Sequence, residues 1–248
     1  MAPIVLGIAF LALWQWFVVA RDIKPFLLPK PTAIWSEFWD SFANIRKATR
    51  VTATNAFFGL VAGSIGGAVT ALVANRFRRV GEMLTPLAAA ANAIPIVALA
   101  AIFGRMFDST TETPRRLVVL LVVFFPVFIN VLRGLREVEP VHLELMRSLA
   151  ASPTAVSRRV RLPNAIPFFL TGLRVASALC VIAALVSEYF VGQQNGLGPK
   201  IAGAAKGSSN YPLAWAFVVA ACALGVAFYL VAILLERVAL PWRRGPSR

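Results

Sequence analysis

The sequence predicts an all-α polytopic membrane protein with about six transmembrane helices. Of its 248 residues, 58% are hydrophobic and only 15% are charged, whereas about a quarter of the residues in a soluble domain are charged. Several apolar runs approach or exceed the ~20 residues that a helix needs to cross a bilayer. These runs do not alternate between apolar and polar residues, as the strands of a membrane barrel do, so helices are the predicted spanning elements.

The apolar runs are expected to form one transmembrane domain, residues 1–248. The first run has no Lys or Arg before it and is followed by charged residues instead of a small-residue cleavage site, which predicts a retained helix and not a signal peptide. An even number of spans puts both chain ends on one side of the membrane. The predicted spans are 3–20, 52–74, 83–107, 116–132, 165–190 and 213–236.

Basic residues near the span ends set the predicted orientation. Arginines are dense in 75–82, in 133–161 and in the C-terminal tail, which favours the cytoplasmic side for these three segments. Segment 31–45 is predicted to be a short amphipathic helix with an aromatic face. It would lie flat at the outer interface or pack against the bundle, and the sequence leaves both open.

Composition and motifs exclude several functions. The net charge of +14 would suit nucleic acid, but the basic residues lie beside apolar spans, which predicts contact with membrane lipid and no nucleic-acid partner. Cys180 and Cys222 lie inside apolar runs and are expected to pack, and no Cys/His cluster predicts a metal site. The patterns GxxxxGK[ST], HExxH and GxSxG are absent, so no catalytic residue is predicted.

Two charged residues fall inside the fifth predicted span. A charge in the hydrocarbon region is costly, so Arg174 and Glu188 are expected to face a cavity or a partner. They lie about 40° apart around a helix and ~21 Å apart along it, too far to pair directly. With Thr171 and Ser177 they form a candidate polar face for translocation. Alternatively, Arg174 snorkels to the cytoplasm and Glu188 reaches the outer interface.

Residues 140–151 form a second candidate site in the connection 133–163. A short helix is predicted here, begun by Pro140 and ended by Ser152-Pro153. Its apolar side is expected to carry Leu143, Met146, Leu149 and Ala150. Such a helix fits a groove on another protein, and the alternative is an amphipathic loop resting on lipid.

This connection resembles the EAA loop of ABC-transporter permease subunits. Glu144 takes the acidic position, Leu145 and Met146 replace two alanines, Ala150 stands where a glycine is expected, and Val160-Arg161-Leu162-Pro163 closes the loop. If this turn needs a positive φ, alanine costs stability there. Residues 164–174 are similar to the branch that takes up nitrate, sulfonates, taurine and pyrimidine-type vitamin precursors. Leu28-Pro29-Lys30-Pro31, Ala93-Ile94-Pro95 and Ser187-Glu188-Tyr189-Phe190 match that branch as well.

The resemblance implies a type I ABC importer permease in the bacterial cytoplasmic membrane. It implies a homodimer with two ABC ATPase subunits inside, which bind ATP and Mg, and a solute-binding protein outside, with no cofactor in this chain. The implied ATPase-coupling residues are Glu144, Leu145, Met146, Leu149, Ala150, Ala151, Ser152, Leu162 and Pro163. The implied pathway residues are Asn92, Pro95, Thr171, Arg174, Ser177 and Glu188.

The expected cargo is a small organic nutrient. A pyrimidine or thiamine precursor is favoured, and a sulfonate or nitrate comes next. One alternative function is an independent transporter driven by an ion gradient, for which Glu188 is the only carboxylate deep enough to couple the ion. A membrane-bound enzyme is disfavoured because the chain lacks a set of catalytic or metal-binding residues.

Overall fold

A computed structural model gives the structure of residues 2–77, 82, 83, 86, 90, 93–108, 110–192 and 195–241. These residues form α-helices and connecting turns, without a strand among them. Two single turns of π-helix, Ser157–Arg161 and Gly203–Gly207, follow the helices Pro153–Val156 and Leu197–Ala202 respectively. The α-helices are α1 Ala2–Ala20, α2 Pro31–Asp40, α3 Phe42–Arg76, α4 Ile96–Met106, α5 Thr113–Arg136, α6 Pro140–Ser148, α7 Pro153–Val156, α8 Leu162–Val191, α9 Leu197–Ala202 and α10 Tyr211–Ala239.

Four helices of the described chain are long and apolar enough to cross a membrane: α3, α5, the continuous helix Pro153–Val191 that contains α8, and α10. They contain the predicted spans 52–74, 116–132, 165–190 and 213–236. The helices α1 and α4 are apolar but shorter. Part of the predicted span 83–107 lies outside the described residues, so the number of six spans stays a prediction.

The helix α3 is much longer than the predicted span inside it. Its 35 residues extend about 52 Å, well beyond a hydrocarbon core of about 30 Å. It starts at Phe42, so the predicted single helix 31–45 is divided at Ser41 into α2 and the first turn of α3. Ile34 is buried, whereas Trp35 and Trp39 are more than half exposed. The two tryptophans of α2 therefore point away from the bundle, while Ile34 and the partly buried Phe38 pack against it.

The core of the bundle consists of α5 packed between α3 and α8. Three glycines of α3, Gly59, Gly63 and Gly67, allow the backbones of α3 and α5 to approach closely. A Cβ at Gly63 would lie 2.6 Å from the carbonyl oxygen of Leu120 on α5. The Gly59-x-x-x-Gly63 pattern thus marks a helix contact, as small residues at this spacing do in membrane bundles.

A second apolar cluster holds the segment before α10 against the bundle. Leu197 of α9 and Phe217 of α10 are buried with Ile34 of α2 and Ile45 of α3. The helix α9 thereby lies over the ends of α3 and α8, and the π-turn Gly203–Gly207 packs against α9 and α10. This packing places backbone N–H groups of α9 next to the buried end of α8.

Candidate functional site

The short helix α6 has no buried residue and presents an apolar stripe on the surface of the molecule. Val141, Leu145 and Leu149 follow one another at four-residue spacing and are 60%, 56% and 66% exposed. Residues at this spacing share one face of a helix. Glu144 is exposed beside this stripe. Three exposed aliphatic side chains with a neighbouring carboxylate form a surface suited to a groove on a partner protein.

The turn after α6 requires the left-handed conformation at Ala150, where φ is +49°. The N–H of Ala150 donates to the carbonyl of Arg147 at 2.9 Å, and the N–H of Ala151 donates to the carbonyl of Met146 at 3.0 Å. These two bonds define a Schellman motif, in which the left-handed position is usually glycine. Alanine therefore carries a strain of about 1–2 kcal/mol at this position. The expected cost of the glycine-to-alanine change is present in the turn.

Ser152 and Pro153 start the next helix, as the sequence predicts. The Ser152 hydroxyl accepts a hydrogen bond from the N–H of Ala155 at 3.3 Å, and Pro153 occupies the first turn. None of the nine predicted coupling residues is buried: Glu144, Leu145, Leu149, Ala150, Ser152, Leu162 and Pro163 are exposed, and Met146 and Ala151 are half-buried. Leu162 and Pro163 lie in the first turn of α8, apart from the exposed stripe of α6.

At the other end of α8, the Glu188 carboxylate is buried and hydrogen-bonded. It accepts from the Thr52 hydroxyl at 2.8 Å, the Asn55 amide at 3.4 Å and the N–H of Gly198 at 3.4 Å. The Thr52 hydroxyl in turn accepts from the N–H of Leu197 at 2.9 Å. Glu188 is only 2% exposed. One carboxylate thus joins α3, α8 and the start of α9.

This polar network around Glu188 continues into α5 and balances its charges. The Asn55 amide donates to Glu112 at 2.8 Å, and its carbonyl oxygen accepts from Arg116 at 3.2 Å. Arg115, which is 1% exposed, pairs with Glu112 at 2.6 Å. Buried charges persist when each is paired and hydrogen-bonded. The sequence-based prediction missed this network; the polar spacing of Thr52 and Asn55, which places both on one face of α3, was the available signal.

The predicted pathway residues do not form one cluster. Arg174 pairs with Glu236 of α10 at 3.1 Å, whereas Glu188 belongs to the polar network that joins α3, α8 and α9. The Thr171 hydroxyl donates to the carbonyl of Pro167 at 3.0 Å, and the Ser177 hydroxyl donates to that of Arg174 at 2.8 Å.

Two further predicted pathway residues come before the fourth helix. Pro95 immediately precedes α4. Asn92 lies outside the described residues.

A cleft of about 480 Å³ opens between α3, α8 and α10. Its walls are almost entirely apolar, and the only polar groups among its described lining residues are the hydroxyls of Ser64 and Ser177. The buried Ser64 hydroxyl has no hydrogen-bond partner among the described residues. Among all the residues that the structure describes, no group of three His, Cys, Asp or Glu side chains is close enough to hold a metal ion.

Comparison with known proteins shows similarity to transport permeases. Residues 59–244 match the family described as "Binding-protein-dependent transport system inner membrane component". The chain is 32% identical to the formylaminopyrimidine transport permease protein ThiX of Halalkalibacterium halodurans, over 92% of this chain and 91% of that protein. It is 28% identical to the riboflavin transport system permease protein RibX of Chloroflexus aurantiacus, over 94% and 86% respectively.

The fold is also similar to a solved transporter structure. The structure titled "Crystal structure of an amino acid ABC transporter with histidines" matches with a TM-score of 0.67 and 17% identity, over 80% of this chain and 95% of that chain. At this identity the likeness concerns the fold alone. It confirms the predicted all-α permease fold.

Proposed function

We propose that this chain, which belongs to the binding-protein-dependent transport system inner membrane component family, couples to its ATPase through α6 and carries a pyrimidine-like nutrient. As a member of that family, the chain is a multi-pass permease subunit of an ABC importer for small substrates. The resemblance to ABC permeases is thus confirmed, and the chain is a transport component, not a catalyst. An ATPase and a binding protein are the partners that the family implies. In our proposal, two copies of this chain form a homodimer, and ATP and Mg are bound by the ATPase subunits.

The single observation that carries the coupling role is the exposed stripe of Val141, Leu145 and Leu149 on α6. An aliphatic stripe of this kind is stabilised when a partner covers it. Motion of α6 can be transmitted because Pro153–Val191 is one continuous helix of 39 residues, about 58 Å long. Its far end carries Glu188 and the hydrogen bond to α9. A displacement at the Pro153 end of this helix would therefore reach α9 at the other end as a rigid-body movement.

The ion pair of Arg174 supports an uncharged cargo over an anion. Glu236 neutralises Arg174, so the guanidinium is not a free positive charge for a sulfonate or nitrate. The relatives at 32% and 28% identity are named for formylaminopyrimidine and riboflavin, two nitrogen heterocycles. A pyrimidine or thiamine precursor is therefore the proposed substrate class, and a sulfonate or nitrate is the second candidate.

The hydrogen bonds of Glu188 argue against a transporter driven by an ion gradient. Its carboxylate is 2% exposed and accepts from three donors. An ion-coupling carboxylate needs contact with the transported ion and with solvent in some state of the cycle. ATP-dependent uptake in vesicles, with no uptake driven by a proton or sodium gradient alone, is the expected result.

The coupling role is tested by co-purification of the permease with its cognate ATPase. We compare Leu145→Asp on α6 with Leu27→Asp, a matched control at a similarly exposed leucine of the segment before α2. Loss of one buried leucine contact corresponds to a drop of about tenfold or more in affinity. The Leu27 variant is expected to retain the ATPase. Full retention of the ATPase by Leu145→Asp would show that α6 is not the docking element.

The substrate class is tested separately with the complete transporter in proteoliposomes. Uptake of a labelled aminopyrimidine is compared with uptake of taurine and nitrate, each presented with the cognate binding protein. We expect ATP-dependent uptake of the aminopyrimidine only. Preferential uptake of taurine or nitrate would reject the proposed cargo and leave the coupling role unaffected.

A further inference from the structure

Three arginines line one groove between α6 and the adjoining ends of α3 and α8. We call it the arginine groove; it measures about 610 Å³ and is lined chiefly by Leu72, Asn75, Arg76, Leu143, Arg147 and Arg161. None of its described lining residues is acidic. Arg161 donates to the Asn75 side chain at 3.3 Å, and none of the three arginines forms an ion pair with a described residue. The groove therefore concentrates positive charge.

Beside it, a smaller groove extends the charged region. Its described lining residues are Asn75, Glu82, Arg136 and Arg161. Arg136 adds a fourth guanidinium, and Glu82 adds one carboxylate. The combined surface remains net positive.

The arginine groove continues into an apolar crevice among the spans. This crevice, about 160 Å³, shares Leu72 and Leu162 with the groove. Its other walls are apolar residues of α3, α5 and α8: Ala68, Val131, Ala165, Ile166 and Phe169. Cations at one end and a hydrocarbon slot at the other match a molecule with an anionic head and an acyl chain. A free phosphate ion would use only the first part.

The groove and the exposed stripe occupy opposite faces of α6 and its terminal turn. Leu143, Arg147 and Ala151 line the groove, whereas the stripe begins two positions earlier, at Val141. Two residues correspond to about 200° around a helix. A partner protein covering the stripe would thus leave the groove open to another ligand. On the cytoplasmic side, which the proposed coupling role requires for α6, the available anionic amphiphile is membrane lipid.

We propose that the arginine groove binds the phosphate of an anionic phospholipid, with one acyl chain in the adjoining crevice. Guanidinium groups bind phosphate through paired, charge-assisted hydrogen bonds. A lipid in this position contacts α6, α3 and α8 together and holds α6 at a set distance from the bundle. The inference rests on the proposed function for the cytoplasmic placement of α6.

The test uses the full-length permease alone, purified in detergent and examined by native mass spectrometry. Added probes are phosphatidylglycerol, phosphatidylcholine and inorganic phosphate. The groove variant is Arg147→Gln with Arg161→Gln. Its matched control is Arg158→Gln with Arg159→Gln. These two exposed arginines lie in the π-turn Ser157–Arg161, as Arg161 does, but they do not line the groove. Both variants lose two positive charges, so a general effect of net charge is the same in each.

Wild type and the Arg158/Arg159 variant are expected to retain phosphatidylglycerol in preference to phosphatidylcholine. The groove variant should lose about 30-fold in retention, since two basic residues near a lipid headgroup contribute to this extent. Equal retention of the two lipids, or equal losses in the two variants, would overturn the proposal. Competition by inorganic phosphate as effective as by lipid would assign the groove to a free anion instead.

ATPase co-purification is scored on the same variants, so that failure of the two proposals can be told apart. We expect the groove variant to retain the ATPase while it loses the lipid. Loss of the ATPase with unchanged lipid retention would make the groove part of the protein interface and reject lipid binding. Thermal unfolding by tryptophan fluorescence verifies that each variant is folded.

Discussion

Replacement of Thr52 by valine tests the hydrogen bonds that join the ends of α3, α8 and α9. Valine keeps the branched shape and replaces the hydroxyl with a methyl group. Thr52 is completely buried. Its hydroxyl donates to Glu188 at 2.8 Å and accepts from the N–H of Leu197 at 2.9 Å. The substitution therefore removes a donor from a buried carboxylate and leaves a buried backbone N–H without its acceptor.

The expected cost follows from these two bonds. Hydrogen bonds between membrane helices contribute about 0.6 kcal/mol on average and up to about 1.7 kcal/mol. A bond to a charged group contributes about 1.5–3 kcal/mol. The two bonds together correspond to a loss of about 2 kcal/mol. For a chain of this length, a loss of 1 kcal/mol lowers Tm by about 2–4 °C, so we expect a decrease of about 4–8 °C.

The assay is thermal unfolding of the purified permease in detergent, followed by its tryptophan fluorescence. Thr52→Ser is the matched control because serine keeps the hydroxyl, and its Tm should stay within about 2 °C of wild type. Limited proteolysis should cut residues 195–207 faster in the valine variant alone, because this segment loses its bond to α3. A valine variant with the Tm of wild type would refute the reasoning, since the two hydrogen bonds of the hydroxyl would then add nothing to stability.

Three further predictions concern packing, strain and charge. Gly63→Ala should lower Tm by several degrees because its Cβ would meet a backbone oxygen at 2.6 Å. Gly66→Ala, whose Cβ would make an ordinary 3.5 Å contact, should leave Tm unchanged. Equal Tm values for the two variants would show that α3 and α5 adjust freely. Ala150→Gly should slow proteolysis of the turn after α6 about two- to fivefold, because relief of the left-handed strain exceeds the added entropy of glycine in the unfolded chain. Faster cleavage of the glycine variant would contradict the predicted strain at Ala150. Arg174→Glu should reduce the yield of folded permease, and the double variant with Glu236→Arg should restore that yield, because the two side chains form an interhelical ion pair. The yield is measured by fluorescence-detected size exclusion. A double variant whose yield is not restored would exclude the pair as a stabilising contact.

Local signals in the sequence account for the helical architecture and for the ends of α6. Apolar runs predict spanning helices because the bilayer offers no partners for backbone N–H and C=O groups. Pro140 and Ser152-Pro153 mark the two ends of the α6 region through backbone chemistry that needs no distant contact. The missing glycine at Ala150 identified the turn where strain occurs. The division at Ser41 escaped prediction because the apolar pattern of 31–45 continues through it.

Only the tertiary structure decided which polar groups meet. Thr52 and Glu188 are 136 positions apart in the chain, and the pairing of Arg174 with Glu236 depends on α10 lying beside α8. The arginine groove likewise combines residues of α3, α6 and the turn before α8. The sequence determined the elements because each helix follows from the side chains and backbone of its own segment. Their polar partners depend on helix neighbours and helix rotation, which the packing of α3 and α8 around α5 determines.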